Sequence, residues 1–170
     1  PIEMAGTFPL PEAQLDRFLF KVDVKFPSVA ELVTILDRTT GTETAEAVQV
    51  ANADEVLKMG QLALSTPIAS SISEYVAKLV VATHPESTQS TSMVRQYIGV
   101  GSSPRGAQSL IIGAKVNALL EGRFNVSYED IHAVAHAALR HRLLLNFEGQ
   151  AEGIKTDDIV DDLLDVVKKK

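Results

Sequence analysis

Apolar residues recur every three or four positions along most of this chain, the period of a helix with one buried face. Ala30, Leu32, Val33, Ile35 and Leu36 predict a helix over about 28–38, with Gly41 as its stop. Val56, Leu57, Met59, Leu62 and Leu64 continue the pattern up to Pro67. Ile72, Tyr75, Val76, Leu79 and Val80 predict a helix over 71–83. His84-Pro85 closes it, because a residue before proline avoids the helical region. Pro104 opens a helix to about Leu120, and Gly122 ends it. Ala107, Leu110, Ile111, Ile112, Ala114, Val116, Ala118 and Leu119 make that helix apolar nearly all round, the pattern of a central, buried element. Two more helices are predicted over about 128–144 and 156–168.

Other stretches read differently. From Phe20 to Phe26 apolar and charged residues alternate, which predicts a strand within 18–26. Phe20, Val22, Val24 and Phe26 would share its face, and Pro27 would end it. Residues 1–18 read as a loop and a short helix, with Pro11 suited to the first helical position. Residues 42–51 fit a strand or a loop. Residues 85–103, rich in Ser, Thr, Gln and Gly, read as a long mobile loop. Four pairs have the spacing of a capping box: Ser28 with Glu31, Asn52 with Glu55, Ser71 with Glu74, and Ser127 with Asp130. Asp157 and Asp158 open the last helix and Lys168, Lys169 and Lys170 close it, in the order the helix dipole favours. There is no internal repeat. The expected fold is mainly α, with a break near Pro27 dividing residues 1–27 from a helical domain over 28–170.

Composition narrows the function classes. The 170 residues are 45% hydrophobic and 22% charged, enough for one ordinary core and unlike a disordered chain. Cys is absent, which excludes disulfides and thiolate metal sites. A net charge of −6, no Trp and 5% aromatics argue against nucleic-acid and anionic-membrane partners. No apolar run is long enough to span a bilayer and no targeting segment is evident, so a cytoplasmic location without membrane insertion is expected. Asn125-Val126-Ser127 fits a glycosylation acceptor, a chance match for a chain of that kind.

Candidate chemistry is sparse. Arg17, read alone, is a surface residue able to pair weakly with Glu12 or Asp16. Arg105 is more informative. It stands at the first turn of the Pro104 helix, where a cation opposes the dipole unless an anion shares the site. A phosphate there would meet free backbone amides and the guanidinium together. His132 and His136 are four apart, as metal ligands can be, but no third ligand or adjacent Glu completes a zinc motif. They are expected to pack or pair, and no metal is expected. No phosphate-binding loop, paired-acid magnesium strand or catalytic triad is present. This chain by itself is not expected to hydrolyse ATP.

Longer motifs carry a resemblance. Pro1-Ile2-Glu3, then Leu10-Pro11-Glu12-Ala13-Gln14-Leu15-Asp16-Arg17-Phe18, a strand and a helical domain, resemble the sequence after the sensor-1 Asn in AAA+ ATPases of the MoxR family. Gly101-Ser102-Ser103-Pro104-Arg105 is similar to that family's sensor-2 motif, Gly-Ala-Ser-Pro-Arg, with Ser102 in place of the usual Ala. Leu139-Arg140-His141-Arg142-Leu143 resembles the end of the lid, and His84 stands where the family often has Arg. The resemblance implies that residues 1–27 are the end of an α/β AAA+ core, with its arginine-finger helix and last strand. It implies that 28–170 are the helical lid. Arg17 would be the arginine finger, acting in trans on a neighbour's γ-phosphate. Arg105 would be sensor 2, and Glu3 would have a structural or coupling role near the ring interior. The ATP-holding half would lie upstream. The parent would bind ATP and Mg2+, form a homo-oligomeric ring, with six subunits expected, and remodel or metal-load client proteins. Proteins with a von Willebrand factor A domain are implied as partners. Two alternatives remain at this point: a magnesium-chelatase-like AAA+ subunit with the same two arginines, and a stand-alone helical interaction module without nucleotide chemistry.

Overall fold

The computed structural model describes residues 10–42 and 46–168. Glu3 lies outside them, so its expected role has no structural account. Among the described residues the helices are α1 (Glu12–Leu15), α2 (Val29–Thr39), α3 (Ala53–Ser65), α4 (Ser70–Ala82), α5 (Ser92–Tyr97), α6 (Pro104–Leu120), α7 (Tyr128–Leu139), α8 (Phe147–Ala151) and α9 (Thr156–Lys168). Two short strands, β1 (Ile98–Val100) and β2 (Leu144–Leu145), pair antiparallel with Ile98 opposite Leu145. The mainly α class is as the periodicity predicts.

The chain divides into two compact units. The smaller is Val22–Leu62. Its helix α2 starts at a complete capping box: Ser28 Oγ accepts from Glu31 N, and Glu31 accepts from Ser28 N at 2.8 Å. Asn52 and Glu55 make the same reciprocal pair at the start of α3. No residue of α2 is buried, and Val33, Leu36, Val56, Leu57 and Met59 are exposed apolar side chains.

The larger unit holds the core, where Leu79, Leu110, Ile131, Leu139, Ile159 and Leu163 are fully buried. Helix α6 is its centre and packs against α7 and α4. It begins with Ser103 as cap and Pro104 in the first turn. It ends in a Schellman turn: Gly122 takes φ +71°, Gly122 N donates to Leu119 O and Arg123 N to Ala118 O. Arg123 then reaches the buried carboxylate of Asp130 in α7. Asp130 also accepts from Asn117 and from the backbone of Ser127, closing the Ser127 capping box. Arg123 and these hydrogen bonds hold the Asp130 carboxyl well below the usual carboxylate range. One acid thus fastens the α6–α7 hairpin and caps its second helix.

Four expectations change. Residues 20–28 form no strand, because a strand exists only when a ladder partner satisfies its backbone, and none faces this segment among the described residues. Phe20 still packs on the core, while Val22, Val24 and Phe26 are exposed. Residues 85–103 are not one long loop. Thr91 caps α5 by accepting from Val94 N, and the burial of Val94 and Ile98 fixes α5 and β1. Ser71 caps nothing, because α4 starts one residue earlier at Ser70, and Glu74 pairs instead with Lys78 at 2.8 Å. Helix α7 stops at Leu139 rather than continuing to 144, and the chain turns through 140–143 to reach β2.

Candidate nucleotide-sensing site

Arg17 projects from the turn that follows α1. Gln14 N and Leu15 N donate to Pro11 O, and Arg17 N donates to Gln14 O at 3.1 Å, so a single proline-led turn sets the backbone. The side chain is exposed, and among the described residues no hydrogen bond or ion pair engages its guanidinium. The weak pairing open to it on sequence grounds is not made.

Arg142 ties that turn to the helical domain. Its side chain is only 1% exposed. It donates to Asp16 Oδ1 at 3.2 Å, to Phe18 O at 2.7 Å, to Ser109 Oγ at 3.0 Å and to Ala138 O. Burial pulls its pKa down, and the Asp16 carboxylate opposes that pull. His141 Nε2 meets Phe18 O at 3.0 Å, and burial lowers the pKa of its ring. Arg140 donates to Lys21 O and forms a two-pronged pair with Asp157. Lys21 N donates to Ala137 O at 2.9 Å. The Arg140-His141-Arg142 run is therefore a clamp on residues 16–21.

Arg105 is in the first turn of α6. Ser103 Oγ accepts from Arg105 N at 3.1 Å and donates to the Asp16 carboxylate at 2.8 Å. The Arg105 side chain is 51% exposed and lies 3.6 Å from Asp16 Oδ2. The loop before it is fixed from below. Ser102 N donates to Thr83 Oγ1 at 2.9 Å, and His84 Nε2 meets Ser102 O at 3.0 Å. A Cβ on Gly101 would come within 2.6 Å of Thr83 O, so this close approach needs glycine. The two candidate arginines are thus joined through one carboxylate: Asp16, which precedes Arg17 in the chain and pairs with Arg105. A cleft of about 200 Å³ opens beside it, lined by Glu12, Asp16, Val100, Ser103, His141 and Arg142.

Asp16, Arg142, Thr83 and His84 escape the sequence reading as site residues. Their partners lie far away in the chain; Arg142 and His84 stood out only through the family resemblance, and Asp16 through its place beside Arg17. The histidines of α7 pair with protein groups: His132 with Tyr75 Oη at 2.9 Å and His136 with Asp161 at 2.9 Å. Among the described residues no group of three His, Cys, Asp or Glu is placed to hold a metal, and no helix is long and apolar enough to cross a membrane.

Comparison with known proteins gives the family of the chain. Residues 90–163 match the family model of the AAA lid domain. Chaperone MoxR1 of Mycobacterium tuberculosis is 34% identical over 167 residues, covering 98% of this chain and 44% of that protein. YeaC of Bacillus subtilis, named as uncharacterized, is 36% identical over 99% of this chain and 50% of its own length. MoxR of Methylorubrum extorquens is 31% identical over 85% of this chain and 45% of its own. A crystal structure from Cytophaga hutchinsonii, described as that of a "putative ATPase", superposes with a TM-score of 0.90 at 33% identity, over 96% of this chain and 50% of that one. The chain spans about half the length of these relatives. With a lid-domain match over residues 90–163 and MoxR proteins similar along nearly all of the chain, the chain belongs with the C-terminal part of the MoxR-type AAA+ proteins.

Proposed function

We propose that this chain supplies two phosphate-directed arginines to a MoxR-type AAA+ ATPase: Arg17 as an arginine finger working in trans, and Arg105 as sensor 2. The observation that carries the reading is that these two arginines stand on the turn and the helix start that meet at Asp16; exposure alone does not single them out, since Arg38 in α2 is also exposed and unengaged among the described residues. Arg142 and Arg140 are consumed by internal partners, whereas Arg17 is exposed and unengaged among the described residues and Arg105 is half-exposed at a helix start. A permanently charged, planar donor fork that is free, as in Arg17, or held only by an exposed ion pair, as in Arg105, suits a phosphoryl group gaining charge. ATP with Mg2+, when bound, supplies that group; the residues here fit its phosphates and not its magnesium. The α/β-core origin of residues 1–27 and the lid identity of the whole of 28–170 belong to the same proposal. So do the homo-oligomeric ring, the cytoplasmic location, von Willebrand factor A domain partners and chaperone-like remodelling or metal-loading of clients.

The test is made in the full-length protein. Arg17→Ala should reduce ATP turnover by roughly 10³-fold or more while ATP affinity stays near the original. Arg105→Ala should change nucleotide affinity as well as turnover. Undiminished turnover in Arg17→Ala would remove the finger, and unchanged affinity and turnover in Arg105→Ala would remove sensor 2. One observation favours a second reading, a helical interaction module: α2 and α3 have no buried residue and show apolar side chains to solvent. That reading predicts that neither arginine change has a nucleotide effect.

A further inference from the structure

Three groups converge on the Asp16 carboxylate, and they differ in freedom. Arg142 is buried and held by Phe18 O, Ala138 O and Ser109 Oγ as well, so it cannot leave. Ser103 is fixed as the cap of α6. Arg105 is half-exposed, and its 3.6 Å separation from Asp16 is an ion pair without a hydrogen bond. Such a pair is worth little in water. A phosphate, with more charge and several acceptor oxygens, is the stronger partner for a guanidinium.

We propose that Asp16 is an internal counter-ion that Arg105 exchanges for a phosphate. Without nucleotide the carboxylate holds Arg105 at the start of α6. When a phosphate arrives the guanidinium transfers to it, while Ser103 and Arg142 keep Asp16 in place. Asp16 is a positioning residue: it acts through Arg105, and through its own backbone on Arg17. The exchange rests on the sensor-2 reading of Arg105.

Asp16→Asn in the full-length protein removes the charge and keeps an acceptor for Ser103. Binding of a non-hydrolysable ATP analogue, followed by fluorescence titration, should tighten about threefold, the scale of one exposed ion pair. The gain should vanish in an Arg105→Ala background. A purely structural role would weaken binding, so weaker or unchanged affinity overturns the exchange. Equal tightening in the Arg105→Ala background also overturns it, because that result is plain charge repulsion. The two readings fail separately. If Arg105→Ala alone alters affinity but Asp16→Asn does not tighten binding, sensor 2 stands and the exchange falls. If Arg105→Ala alone changes nothing, both fall. Should Asp16→Asn not fold, the unaltered protein decides: the Arg105 side-chain NMR signal should shift on adding the analogue while that of Arg142 stays. An unmoved Arg105 signal contradicts the proposal.

Discussion

Arg142 shows how much one buried side chain can organise. It links residues 126 positions apart by bonding Asp16. Its fork also satisfies the Ala138 carbonyl near the end of α7 and shares the Phe18 carbonyl with His141. Lysine has the charge but not the planar fork. Arg142→Lys is therefore expected to lose about 1–3 kcal/mol, since several buried acceptors lose their donors. The check is a urea unfolding midpoint, with hydrogen exchange read at residues 16–21. The exchange should quicken there first. A midpoint and exchange pattern matching the original would show that the clamp is dispensable. The partners of Arg142 are not legible from sequence. In the sequence Arg142 is a cation favoured near a helix end and part of a run that resembles the end of the lid, where a structural role is expected, and only the fold shows which partners the chain before it brings back to meet it.

Among the elements, legibility tracked locality. Capping boxes at Ser28, Asn52 and Ser127 could be read because both partners lie within four residues. The Pro104 start and the Gly122 stop of α6 were readable for the same reason. The Ser71 box failed because Ser70 already begins the helix. The strand expected from Phe20 to Phe26 failed because alternation describes a face and cannot supply a neighbour. The 85–103 segment was misread because polar composition hid two anchors, Val94 and Ile98. The tight packing of Gly101 on Thr83 gives an element-scale prediction. Gly101→Ala must displace backbone rather than a flexible side-chain tip, and should cost about 1–3 kcal/mol as overpacking. Thermal unfolding measures that cost. The start of α6 should shift with it, so nucleotide affinity should fall even though Arg105 is intact. Full stability and affinity would mean that the loop yields without consequence.

At the scale of the whole molecule, the recognisable part was a string of short motifs in the right order, and the comparisons bear out the family they suggested. What joins those motifs was hidden. The turn that bears Arg17 and the helix start that bears Arg105 meet at one carboxylate, with a buried arginine behind it. On the proposed function, that arrangement ties the two phosphate-directed arginines to one another. The smaller unit adds a different property, since its amphipathic helices leave their apolar faces uncovered. The central claim is that Arg17 completes a nucleotide site belonging to another subunit. Its most direct test is complementation between two inactive full-length proteins, one carrying Arg17→Ala and the other unable to bind ATP. Co-expressed in one assembly, they should regain ATP turnover, because the first still binds nucleotide and the second still offers Arg17. A mixed assembly that stays inactive would contradict the account.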